Sequence, residues 1–295
     1  MRCWHGSGTA HPPRHRCPAG AGLAAAVRGA GAMSASLRLI RRILATETAY
    51  SLARLQHLAG LNDNAFGVAW RQLDAGALAQ MLRGRPVPAY NRVLGLRADL
   101  LGEIEPVLAW YQAAGIEPEL ETISAYAAPE VTRELVRRGY FQAGFRVLLA
   151  GRPPASAPGR AGAEITEAAQ RGEAFARSRD AAGIDAGGEL SSQLQAALGA
   201  TGSHLYLSAT AGPAAATVLF IKDGIGFCAP AALFPSASAP DVAPVRAAIA
   251  DAALAGVEWV CAEADLLSPR HRRLVGLGLE VAFVRALWSL APSRP

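Results

Sequence analysis

The stretch ELVRRGYFQAGFRVLL, from Glu134, lies against RLVGLGLEVAFVRALW, from Arg273, without a gap. Leu135 falls on Leu274, Val136 on Val275, Gly139 on Gly278, Ala143 on Ala282 and Arg146 on Arg285. Upstream, Pro129 and Pro269 each open the preceding helical pattern. Apolar positions agree by chance in many helix–strand units, but here the order of elements agrees as well. Each half ends strand, helix, strand, helix, strand. A repeat at this separation predicts two copies of one domain, 33–150 and 164–295, joined at 151–163, where GRPPASAPGRAGA breaks all periodicity.

Within the first half, SLRLIRRILATETAYSLARLQHLAG spaces its leucines and isoleucines as a helix does, and Gly60 is a stop. Short strands are read over AFGVAWRQL, ALAQML and AYNRVLGL. EIEPVLAWYQAAG reads as a helix with Pro106 in its first turn, followed by a strand over PELETIS, a helix over PEVTRELVRRG and a strand over YFQAGFRVLLA. The second half opens with a strand over AEITEA and helical segments between 168 and 199. HLYLSAT, AAATVLFI and GIGFCAPAALF form a meander with a KDG hairpin turn. DVAPVRAAIADAALAG is a helix that Asp241 can cap and Gly256 can end, and VEWVCAEA, SPRHRRLVGLG and LEVAFVRALWSL complete the order.

Charge limits the partners. Of a net +5, the segment 1–32 supplies four through Arg2, Arg14, Arg16 and Arg28, with no acid, and the rest of the chain is near neutral. No stripe of alternating basic and aromatic residues follows, so no nucleic-acid partner is expected. The opening segment has neither period nor an apolar run long enough for a membrane, and reads as a disordered tail or as sequence ahead of a true start at Met33. Cys3, Cys17, Cys228 and Cys261 make no metal spacing and no disulfide framework, so no metal is expected and a reducing, cytoplasmic setting fits.

The order of elements, the strand YNRVLGL (Tyr90 to Leu96) and the helix PRHRRLVGLGL (Pro269 to Leu279) resemble the GCN5-related N-acetyltransferase superfamily, in particular its bacterial chains with two such domains in tandem. The resemblance covers roughly residues 40–290. It implies an α/β (α+β) fold of two acyl-CoA N-acyltransferase-like domains, each a mixed, mostly antiparallel sheet flanked by helices. It implies acetyl-CoA as cofactor and a small-molecule amine as acceptor, with oligomerisation open. In that superfamily the fourth and fifth strands splay around the pantetheine arm, and the turn after the fourth strand holds the pyrophosphate on backbone N–H groups at a helix N-terminus.

On this chain the resemblance places the cofactor on Ala232, Leu233, Phe234, Ser236, Ser238 and Ala239. The turn PSASAPDVAP lacks the family's glycines and its Arg or Gln, Pro240 and Pro244 remove N–H donors, and Asp241 brings a negative charge. Ser236 and Ser238 also read as plain turn formers. In the first half the corresponding turn, GLRADLLGE, offers Gly95, Arg97 and Gly102 but also Asp99.

The superfamily's acid, commonly a Tyr on the last helix, falls on His271, which can titrate near neutral pH. Among Arg270, Arg272 and Arg273 it reads equally as part of a solvated face. Glu263, at the end of its strand, is the candidate base or, with Asp265, the start of a solvated loop. Asn91 and Arg92 put polar groups on opposite faces of an apolar strand, lining a cleft or joining the halves. Two functions follow: an acyl-CoA-dependent N-acyltransferase, or a non-catalytic scaffold of the same fold that binds a small molecule or a protein.

Overall fold

One long helix, α1 (Leu37–Ala59), sets the frame of the molecule. The structure, a computed structural model, describes residues 37–84, 90–126, 129–154, 163–166, 204–208, 216–230 and 243–290. The cofactor residues assigned to 232–239, Asp241, the helical pieces at 168–199 and the opening segment 1–32 lie outside them. The first half continues with β1 (Val68–Asp74), β2 (Ala77–Leu82), β3 (Arg92–Leu96), α2 (Leu101–Gln112), β4 (Glu119–Ile123), α3 (Pro129–Arg137) and β5 (Tyr140–Gly151). The second comprises β6 (Ala163–Thr166), β7 (His204–Ser208), β8 (Ala216–Lys222), β9 (Ile225–Pro230), α4 (Ala243–Leu254), β10 (Trp259–Asp265), α5 (Pro269–Gly276) and β11 (Glu280–Leu290). Each half thus ends strand, helix, strand, helix, strand. Asp223 and Gly224, both at positive φ, make the two-residue turn between β8 and β9.

Pro106 departs from the expectation. A 3-10 turn over Ala98–Leu100 leads into α2 at Leu101, so Pro106 lies beyond the first turn and inside the helix. The sequence pattern hid the earlier start because Leu101 and Gly102 carry no capping signal.

The two halves share one eleven-stranded sheet, in the order β1-β2-β3-β4-β11-β5-β10-β9-β8-β7-β6. Among the described strands only β3 with β4 and β9 with β10 run parallel. The last strand of each half pairs with the penultimate strand of the other, β5 with β10 and β11 with β4, and β5 and β11 pair with each other in the middle. Arg146 stands directly opposite Arg285, and the register irregularity at Val281/Phe283 is matched by one at Leu287/Trp288 on the far side of that pair. A local two-fold axis therefore passes between the two arginines. It relates Glu121 of β4 to Glu263 of β10, because Glu121 pairs with Leu287 and Glu263 with Leu148. Gly139 and Gly278, aligned by the repeat, have φ of 84° and 85°.

At 1.5 Å per residue α1 is about 35 Å long, enough to cross seven strands spaced about 4.8 Å apart. It does so on one face, packing Leu55 and Leu58 against Leu78, Leu82 and Leu94, and Ile40, Ile43 and Tyr50 against Val218, Ile225, Phe227 and Cys261. Arg42 fastens it to the second half through Glu258 at 2.8 Å and the Asp223 carbonyl at 2.8 Å. The opposite face is covered by α2 and α3 over the first half and by α4 and α5 over the second. Val245, Ile249 and Ala252 of α4 are buried there. Among the described residues no helix is long and apolar enough to cross a membrane.

Candidate functional site

On the α1 face the two-fold axis is surrounded by charge. Arg285, 1% exposed, donates to Glu47 of α1 through both terminal nitrogens, one of them at 2.7 Å, and also reaches Glu121 at 3.4 Å and Glu263 at 3.3 Å. Arg146 bonds Glu121 at 2.9 Å and Glu263 at 3.0 Å. Arg92 adds a bond to Glu121 at 3.0 Å. Three arginines face three buried carboxylates, the balance that burial requires. The carboxylates respond in opposite directions. Burial raises Glu47 above the usual range despite Arg285, whereas at Glu263 burial is outweighed by Arg146, Arg285, Arg92 and Arg270, which lower it.

Glu263 therefore does not open a solvated loop. It is 8% exposed, β10 continues through Asp265, and its carboxylate is spent on the joint between the halves. The loop reading failed because the partners that hold the side chain come from distant strands. Asn91 and Arg92 also find separate uses. Asn91 accepts from the Leu82 N–H at 2.8 Å, holding β3 to β2, and Arg92 joins the cluster.

A second feature lies where β9 and β10 part. They pair in register from Ile225/Trp259 to Cys228/Ala262. Beyond that, Ala229 and Pro230 pair only with Val218 and Thr217 of β8, while Glu263, Ala264 and Asp265 pair only with Leu148, Val147 and Arg146 of β5. The two strands diverge into a fork at their C-terminal ends. Arg270, in the first turn of α5, reaches this fork and donates from Nε to the carbonyl of Glu263 at 2.9 Å. Its guanidinium is close enough to the Cys228 thiol to oppose, without cancelling, the burial that pushes that thiol up to about 12. Its Nη2 is buried with no hydrogen-bond partner among the described residues.

His271 follows in the same turn. Ser268 caps the helix by accepting from the His271 N–H at 3.1 Å, and His271 Nδ1 accepts from the Leu267 N–H at 3.0 Å. The second bond places the imidazole proton on Nε2. Burial, and then Arg272, lower its pKa below 6.5. His271 and the Glu263 carboxylate are not brought together: Leu274 packs α5 against Val260, Ala262 and Ala264, while Glu263 points to the α1 face.

The first half is built differently at the same place. β3 and β4 keep a pair at Leu96/Thr122, past an irregularity that accommodates Gly95 at φ 74°. A side chain there would run into the Gly76 carbonyl, so only glycine fits. Arg97 is consumed by Asp74 and Asp99. A cavity of about 520 Å³ remains beside this turn, lined by Arg41, Leu44, Asp74, Arg97, Asp99 and Tyr126.

Sequence reasoning passes over Glu47 and Glu121, puts Arg270 on a solvated helix face, and sees Arg146 and Arg285 only as matching letters. The available signal was an arginine at equivalent places in two apolar strands, which demands buried acids.

Solved structures with similar folds include a GCN5-related N-acetyltransferase from Kribbella flavida, 19% identical, covering 83% of this chain and 96% of its own, with a TM-score of 0.48. A tandem GNAT protein from the clavulanic acid biosynthesis pathway is 15% identical over 77% of this chain and 85% of its own, with a TM-score of 0.47. A functionally unknown conserved protein from Staphylococcus epidermidis is 10% identical over 79% and 98%, with a TM-score of 0.48. No model of a known protein family matches the sequence, and no curated protein does.

Proposed function

We propose that the chain is an acyl-CoA-dependent N-acyltransferase acting on a small-molecule amine, with the cofactor arm in the second half. One observation carries the reading: two adjacent parallel strands, β9 and β10, stop pairing with each other at Cys228/Ala262 while each keeps its outer partner. Backbone groups facing the gap, apart from the Glu263 carbonyl that Arg270 holds, are then open to bond an extended, amide-bearing arm as a strand would. Bound there, acyl-CoA supplies an activated thioester for attack by the amine. His271 is the proposed proton donor in its protonated, imidazolium form, and the Glu263 carbonyl positions Arg270.

The first half supports the second reading, a scaffold without catalysis, for its own part of the molecule. Its strands stay paired to Leu96/Thr122, and Arg97 has no charge to spare for a phosphate.

Isothermal titration of the full chain with acetyl-CoA and longer acyl-CoAs tests the proposal. Binding of one molecule per chain is expected. No binding at millimolar concentration would sink it and leave the scaffold reading for both halves.

A further inference from the structure

A buried guanidinium nitrogen with no acceptor is expensive unless something is meant to meet it. Arg270 is in that position at the base of the β9/β10 fork. Its Nε is engaged by the Glu263 carbonyl, and Nη2 points to no acceptor among the described residues. Neither nearby carboxylate supplies one. Glu263 is turned to the other face of the sheet and bonded to Arg146 and Arg285, and Asp265, 74% exposed at its side chain, lies 3.5 Å from Arg146. The flanking strand residues, Cys228 and Ala262, are fully buried and offer no charge to the cation, since burial keeps the Cys228 thiol protonated.

We propose that Arg270 selects the acyl donor, so that the fork takes acyl groups ending in a carboxylate, such as succinyl, in preference to acetyl. This rests on the reading that the fork holds an acyl-CoA arm. An acetyl methyl leaves Nη2 unpaired and adds apolar surface beside a cation. A carboxylate two or three carbons further on accepts from Nη2 and supplies the missing negative charge. The fork also favours one extended chain over a branched one, because it is the space between two strands that still pair immediately before it, at Cys228/Ala262.

The test is a set of titrations of the full chain with CoA, acetyl-CoA and succinyl-CoA, on wild type, R270Q, R270M and R270K. Wild type is expected to bind succinyl-CoA at least about tenfold more tightly than acetyl-CoA, the scale of one charge-assisted hydrogen bond. In R270Q and R270M that ratio falls to about one. R270K, which keeps the charge but not the planar donor edge, falls between. Two neutral variants are included, with circular dichroism as a check, so that a folding failure in one leaves the other to read. Equal affinities in wild type, or a preference that survives both neutral variants, would overturn the role of Arg270 while leaving acyl-CoA binding intact. If CoA and both thioesters fail to bind wild type, the underlying reading falls and this one with it.

Discussion

The centre of this chain obeys a local two-fold that the ends of its parallel strand pairs do not. At the centre, Arg146 faces Arg285, Glu121 mirrors Glu263, and even the strand irregularities are related by the two-fold. At the ends of the parallel pairs the symmetry is lost: β3 and β4 stay together to Leu96/Thr122, whereas β9 and β10 part at Cys228/Ala262. The centre is where each half completes the other's sheet, so a change on one side must be answered on the other. A fork serves its own half alone. One half can therefore keep its parallel strands paired while those of the other part.

The largest test of this contrast is at the centre. The axis makes Arg285 and Arg146 equivalent, but α1 breaks the equivalence by offering Glu47 to Arg285 only. R285M leaves Glu47 buried without a cation and is expected to cost about 3–5 kcal/mol. R146M is expected to cost roughly 1–3 kcal/mol, since Arg92 and Arg285 still serve Glu121, and Arg285 still serves Glu263. Urea denaturation measures both. Equal losses would mean that Glu47 contributes nothing special, and that the two-fold describes energy as well as shape.

These differences trace what the sequence could and could not reveal. The elements and their order were legible because period and turn chemistry are local: Gly139 and Gly278 end helices, and KDG turns a hairpin. The exchange of last strands was not legible. β5 and β11 share an alanine, an arginine and a leucine at equivalent places (Ala143/Ala282, Arg146/Arg285, Leu148/Leu287) and carry no local signal for their partners, which β4 and β10 decide from far along the chain. The same distance hid the site. Glu47 and Arg285 are separated by most of the chain, so neither letter predicts the other, and Glu263 reads as a candidate base or the start of a loop until its partners are in place. Arg270 was taken for part of a polar helix face because PRHRR contains four polar residues, and only the fork distinguishes the one that turns inward.

A smaller effect sharpens the symmetry itself. Gly139 and Gly278 share a left-handed backbone, and a methyl group would meet only Leu290 at 3.8 Å in the first case and nothing within 4 Å in the second. G139A and G278A should therefore each cost about 1 kcal/mol from backbone strain alone. The double variant should cost about the sum, because the sites share no partner. Urea midpoints decide this. A cost at one site several times that at the other would show that the repeat holds in conformation but not in packing.

The smallest effect belongs to His271, for which α3 of the first half has no histidine to compare. Its folded-state pKa lies below the ordinary 6.5, from burial and then Arg272, and the Leu267 N–H bond to Nδ1 favours the neutral ring. Between that lowered value and 6.5 the unfolded chain binds more protons than the folded one. Stability contributed by this group is thus present above 6.5 and is lost as pH falls through the window beneath it. H271N should flatten the slope of stability against pH in that window and leave the region above 7 unchanged, as read by urea midpoints at a series of pH values. The same lowered value has a kinetic counterpart. If the protonated ring delivers the proton in acyl transfer, turnover in wild type falls as pH rises through a value below 6.5, and H271N removes that limb. A profile that is flat across the window in wild type would assign His271 to the cap of α5 and leave the proton to another donor.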